Sequence, residues 1–120
     1  MHELSIAMSI VEMAEEESAR QGGAKINAVH LKLGPLSGVV KAALESAFGL
    51  ACEGTILEGS PLVVEEVPIV GYCPKCLAER TMTSMQWFGC PVCASPISEV
   101  IQGRELEVVA LEIEELAVSP

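Results

Sequence analysis

The chain has 120 residues, half of them hydrophobic, and carries seven Lys and Arg against 17 Asp and Glu, for a formal net charge of −10. That length fits one domain with a small appendage, and the apolar content excludes a disordered chain. The acidic balance excludes a phosphate-backbone binder and favours cations or a basic protein partner.

Aromatic residues are scarce, with one Trp, one Tyr and two Phe, so the core must be mainly aliphatic. No apolar run reaches the length of a membrane span, and the first residues lack the basic and apolar regions of a signal peptide. A cytoplasmic protein is expected, with cysteines kept reduced and available to metals.

Met1-His2-Glu3 leads directly into a helix pattern. Leu4, Ala7, Met8, Val11 and Ala14 share one face, Ile6, Ile10 and Met13 widen it, and Gly22-Gly23 ends it. Packing that begins at position 4 holds His2 and Glu3 near a folded element. A terminal amine, the residue 2 amide and the His2 imidazole lie on one short run of bonds and can chelate a metal in a plane. Square-planar ligation of this kind favours Ni²⁺ or Cu²⁺ over Zn²⁺. Three residues alone carry little information, however, and an ordinary exposed chain start is the more frequent reading of them.

Lys25–Leu33 reads as a strand with Val29, Leu31 and Leu33 on one face and Ala28, His30 and Lys32 on the other. A single strand histidine such as His30 is more often a surface or packing residue than a ligand. Gly34-Pro35 makes a turn, and Ser37 is placed to cap a second helix with Val40, Ala43, Leu44, Ala47 and Phe48 as its apolar stripe. Cys52, at or past the end of that helix, lies outside any metal spacing and reads as a small buried hydrophobe. A loop over Gly54–Pro61 precedes a short valine-rich strand, Leu62–Val67, and Pro68 with Gly71-Tyr72 marks a boundary.

The strongest chemical signal follows. Cys73-Pro74-Lys75-Cys76 and Cys90-Pro91-Val92-Cys93 are paired Cys-x-x-Cys motifs separated by residues 77–89. Each pair aims two sulfurs at one point, and the loop between them is long enough to bring the pairs face to face around a tetrahedral Zn²⁺. Proline after the first cysteine of each pair fixes φ and starts the turn. Two disulfides, a redox pair or four unrelated thiols are the alternatives, and the doubled spacing argues against them. Four thiolates leave no open position for water or substrate, so the site is structural. Thr81–Phe88 has strand character, and Trp87 and Phe88 are the residues placed to shield the metal. Arg104–Ile113 is the longest strand pattern. Val109, Leu111 and Ile113 have one parity and Leu106 and Val108 the other, which calls for a bulge or for cover on both faces. Glu105, Glu107, Glu112, Glu114 and Glu115 form a solvated strand face and tail.

The expected fold is α+β: a three-stranded sheet with two helices, interrupted by a zinc-ribbon module. Residues 1–70 with 101–120 form the first domain and residues 71–100 the zinc-binding one. A zinc-ribbon nucleic-acid module would need a basic face, which is missing. A zinc hydrolase or deaminase would need an open metal position and a His-x-Glu type base, which His2-Glu3 and His30-Leu31-Lys32 do not supply.

Met1-His2-Glu3-Leu4-Ser5, Gly34-Pro35-Leu36-Ser37, the two cysteine pairs and Gly103-Arg104-Glu105-Leu106 occur in that order. Together they resemble the HypA/HybF family of hydrogenase maturation nickel metallochaperones, over essentially the whole chain. The resemblance implies a non-enzymatic nickel carrier with a nickel site at Met1, His2 and Glu3 and structural zinc at Cys73, Cys76, Cys90 and Cys93. It also implies delivery of Ni²⁺ to a [NiFe]-hydrogenase large subunit with a hydrogenase maturation GTPase as partner, and some relatives also serve urease. A monomer or weak homodimer is expected, with no nucleic-acid partner and no membrane insertion. Leu77 and Ala94 depart from the glycine common after such cysteine pairs, which strains the turns without removing a ligand.

Overall fold

The computed structural model describes residues 2–114; Met1 and residues 115–120, Glu115 among them, lie outside the described residues. Helix α1 spans Glu3–Arg20 and helix α2 Lys41–Cys52. The strands are β1 (Ile26–Leu33), β2 (Leu62–Glu66), β3 (Val70–Cys73), β4 (Ala78–Thr81), β5 (Glu99–Gln102) and β6 (Leu106–Ile113). They form two three-stranded sheets, ordered β2-β1-β6 and β4-β3-β5. The fold is α+β, as the order of patterns predicts. The described residues contain no helix long and apolar enough to cross a membrane.

Two compact units divide the chain, one of residues 1–31, 39–64 and 108–120, the other of residues 32–38 and 65–107. In the first, α1 packs against α2. Its core holds Ala7, Ile10, Val11 and Ala14 from α1, Ile26, Val29 and Leu31 from β1, and Leu44, Ala47 and Phe48 from α2. The buried stripe of α1 is therefore turned from the expected one: Leu4 and Met8 are exposed, while Ile10 and Ser18 are buried. Ser18 explains its own burial. Its hydroxyl donates to the Ala24 carbonyl while the Gly23 amide donates to the Ser18 carbonyl at 2.8 Å, closing the turn into β1. Gly22 and Gly23 both adopt positive φ there, which glycine alone enters without steric cost. On β1, Ala28 is buried as well as Val29, so both faces are covered near its start.

Ser37 is not the cap of α2. It closes a short 3₁₀ turn, Pro35–Ser37, and α2 begins at Lys41 with Val40 at the N-cap. Cys52 is buried at the end of α2, as its isolation from the other cysteines predicts. On β6 the half-buried residues are Leu106 and Val108, then Leu111 and Ile113, with Val109 and Ala110 exposed between them. The parity shift read from the sequence is real and lies at those two residues.

In the second unit β3 pairs antiparallel with both β4 and β5, and the register of β3 against β5 shifts at Val70/Gly71. Here the Gly34 and Gly103 motifs meet. The Gly34 amide donates to the Glu105 carbonyl and the Leu36 amide to the Gly103 carbonyl, both at 2.8 Å. The Glu105 carboxylate accepts from the Gly103 amide at 2.7 Å.

Candidate metal centres

Strand β3 ends on Cys73, so sheet pairing sets the first cysteine: Cys73 stands opposite Ala78 in the β3–β4 register. The chain then turns through Pro74-Lys75 to Cys76, whose amide donates to the Cys73 sulfur at 3.3 Å. The second pair repeats the design, with the Val92 and Cys93 amides donating to the Cys90 sulfur at 3.4 and 3.5 Å. Ser95 and Cys90 close that turn, the Cys90 amide donating to the Ser95 carbonyl at 2.8 Å. Leu77 and Ala94, the residues just after each pair, have φ of 56° and 62°. The expectation of strained turns holds, since a side chain in the left-handed region is disfavoured.

The four sulfurs lie within 4.8 Å of one another. Cys73 and Cys93 approach to 3.4 Å and Cys76 and Cys90 to 3.9 Å. A tetrahedron with metal–sulfur bonds of ~2.3 Å has edges of about 3.8 Å, so the donor set fits a four-thiolate metal. Cys73 and Cys90 are buried and Cys76 and Cys93 half-buried. No disulfide joins them, and all five cysteines are free.

The electrostatics of the four cysteines are uneven. The Ser95 hydroxyl, then its amide, pull Cys93 down to about 6. At Cys76 the Arg80 guanidinium pulls down, but the sulfurs of Cys93 and Cys73 outweigh it and the thiol sits at about 11. Burial opposes ionisation of Cys90, yet the amides of Cys93 and Val92 prevail and lower it. Four adjacent thiolates repel one another, and a divalent cation removes that conflict.

Trp87 and Phe88 are more exposed than a shielding role predicts. Strand β4 ends at Thr81, residues 82–88 are irregular, and both rings are exposed, Trp87 to 51%. Trp87 instead lays its ring against Gly89, where any Cβ would overlap it. Arg80 is a side chain beside the cluster that spacing does not reveal. It interacts with the Cys76 and Cys90 sulfurs, and its Nε is buried without a partner. No spacing rule marks an arginine that a strand register brings to a metal.

At the other end of the chain, His2 is exposed and extended, with φ −89° and ψ 95°, and occupies the N-cap of α1. Its carbonyl accepts from the Ile6 amide at 3.3 Å. Glu3 opens α1, and its carboxylate accepts from the Val40 amide at 3.4 Å, at the start of α2. The Glu3 amide and then the Val40 amide hold this carboxyl below its usual range. Met1, the third residue of the expected nickel site, lies outside the described residues. His30 belongs to neither centre: its Nε2 stands 3.1 Å from Glu112.

The sequence profile of a family described as "Hydrogenase/urease nickel incorporation, metallochaperone, hypA" matches residues 1–113. The chain belongs to the HypA family. The "Hydrogenase maturation factor HypA" of Chloroflexus aurantiacus is 52% identical over 112 residues, spanning 93% of this chain and 98% of the relative. The factor of the same name from a Roseiflexus species is 47% identical over 115 residues, spanning 96% and 94%. In fold, the chain resembles the solution structure of the Ni metallochaperone HypA from Helicobacter pylori, with a TM-score of 0.64 at 24% identity over 94% of this chain and 97% of that one. A second solution structure, of a HypA protein, gives 0.70 at 24% identity over 95% and 97%. Family membership makes this a metallochaperone family chain concerned with nickel incorporation.

Proposed function

We propose that this chain binds Ni²⁺ at Met1, His2 and Glu3 and delivers it for [NiFe]-hydrogenase maturation, while Cys73, Cys76, Cys90 and Cys93 hold one structural Zn²⁺. It performs no catalysis of its own. The contrast between the two ends supports this reading. His2 is exposed beside a Glu3 carboxylate tied to α2, whereas the four sulfurs close on one another. Incoming ligands can reach an exposed imidazole and remove its metal; they have no vacant position in a four-thiolate cage. Residues 1–70 with 101–120 serve nickel and residues 71–100 serve zinc.

The partners are a maturation GTPase and the hydrogenase large subunit, in the cytoplasm, with urease as a further recipient. A net charge of −10 opposes DNA and RNA and suits docking onto a protein. The carrier works as a monomer or weak homodimer.

Transfer tests the proposal. Untagged protein loaded with one Zn²⁺ and one Ni²⁺ is mixed with nickel-free large subunit and the GTPase, and both metals are followed. Nickel should move and zinc should stay. Nickel that never leaves, or zinc that leaves with it, contradicts the reading.

A further inference from the structure

Arg80 is a cation drawn inward in a strongly acidic chain. On β4, Ala78 and Arg80 are half-buried while Glu79 and Thr81 are exposed, so Arg80 shares the face of Ala78, the residue opposite Cys73. Its own register partner is Gly71, where the Ile97 side chain occupies the place of the missing Cβ. The guanidinium reaches the sulfurs of Cys76 and Cys90, which form one edge of the cluster at 3.9 Å. Its Nε is buried and lacks any acceptor among the described residues. Lys75, the basic residue between Cys73 and Cys76, is exposed.

Burying a guanidinium Nε–H without a partner is costly unless a strong acceptor compensates. Thiols accept hydrogen bonds weakly, whereas metal-bound thiolates carry the charge that makes a strong acceptor. Four thiolates around Zn²⁺ carry a net charge of about −2, which one adjacent guanidinium reduces to about −1.

We infer that Arg80 is the counter-cation of the four-cysteine centre, a positioning residue that stabilises the metal-bound sulfurs of Cys76 and Cys90 and protects them from electrophiles. The inference rests on the reading of that cluster as a zinc site. The guanidinium charge favours the thiolate over the protonated thiol, so protons compete less well with the metal. Donation to a coordinated sulfur ties up a lone pair, so attack at that sulfur is slower.

The test compares wild type with Arg80→Gln and Arg80→Met, the latter keeping the apolar stem should the former fold poorly. Zinc affinity is read by competition with a chromophoric chelator, and iodoacetamide labelling of zinc-loaded protein is mapped by mass spectrometry. Both variants should lose zinc affinity by about 10–100-fold. Labelling should accelerate at Cys76 and Cys90 well before Cys73 and Cys93. Unchanged affinity, or equal acceleration at all four cysteines, overturns the role of Arg80. Wild type that binds no zinc through these cysteines overturns the reading of the site, and the inference with it.

Discussion

Gly34 and Gly103 meet backbone to backbone: a Cβ on Gly34 would overlap the Gly103 carbonyl. Gly103 has φ of 134° and would place its own Cβ 3.1 Å from Ile69. Neither glycine is a spacer. Their contact pins the 3₁₀ turn at Pro35–Ser37 to the chain just ahead of β6.

Gly34→Ala should therefore break the hydrogen bonds from the Gly34 and Leu36 amides, or force the turn away, and destabilise the fold by roughly 2–4 kcal/mol. Urea unfolding of the zinc-loaded protein checks it, and Gly38→Ala is the control. Gly38 also has positive φ but meets nothing within 4 Å, so only its backbone strain should appear.

Leu77 and Ala94 predict the opposite sign. Both are side chains at positive φ, and Leu77 is 76% exposed, so little packing is lost with it. Leu77→Gly should relieve ~1–2 kcal/mol of strain while costing ~0.5–1 kcal/mol in chain entropy, leaving a net gain of up to about 1.5 kcal/mol. Denaturant midpoints of the zinc-loaded form measure this. A loss of stability would show that the turn prefers a side chain there.

Much of this was legible because it is local. Cysteine spacing fixes both turns within four residues each, and the strain at Leu77 and Ala94 follows from the missing glycines. What escaped needs distant partners. Ser37 has the chemistry of a helix cap, but Gly103 and Glu105 claim its turn and leave α2 to start later. The apolar residues of α1 surround too much of the helix for periodicity to choose a face, and the fold buries Ile10 and leaves Met8 exposed. Trp87 was expected over the metal because so small a module has little other core, and Gly89 beside it offers the ring a flat seat. The contacts of Arg80 and of Glu3 depend on register and helix packing, which no motif encodes.

Cysteine replacements should divide cleanly. Cys90→Ala should release the Zn²⁺ and unfold the β4-β3-β5 ribbon, because metal binding and folding of such a site are coupled. Cys52→Ser should retain full zinc. Cys52 packs at the end of α2 and offers its carbonyl to Thr55, so its loss should cost core stability only. Zinc content by mass spectrometry decides, and full zinc in Cys90→Ala would exclude that cysteine as a ligand.

In nickel-free protein the Glu3 carboxylate should titrate below the ordinary glutamate value of about 4.3. The Glu3 and Val40 amides stabilise its charged form. The folded value is depressed, so the contribution is complete above the unfolded value and is lost as pH falls through the folded one. Carbon-detected titration of Glu3 measures it, and protection of the Val40 amide should fall over the same acidic range. A Glu3 value at or above the ordinary one would mean that the tie to α2 does not form in solution.

The central claim is that the first residues carry the nickel, and titrating three untagged, zinc-loaded forms with Ni²⁺ tests it most directly: wild type, His2→Ala, and wild type extended by one residue before Met1. Wild type should take one Ni²⁺, more weakly as pH falls, because protons compete with the metal for its nitrogen ligands. His2→Ala should lose specific nickel binding with zinc content unchanged, and the extended form should bind far more weakly although His2 is still present. Unchanged affinity in the extended form would contradict a terminal-amine chelate, and unchanged affinity in His2→Ala would contradict the site itself.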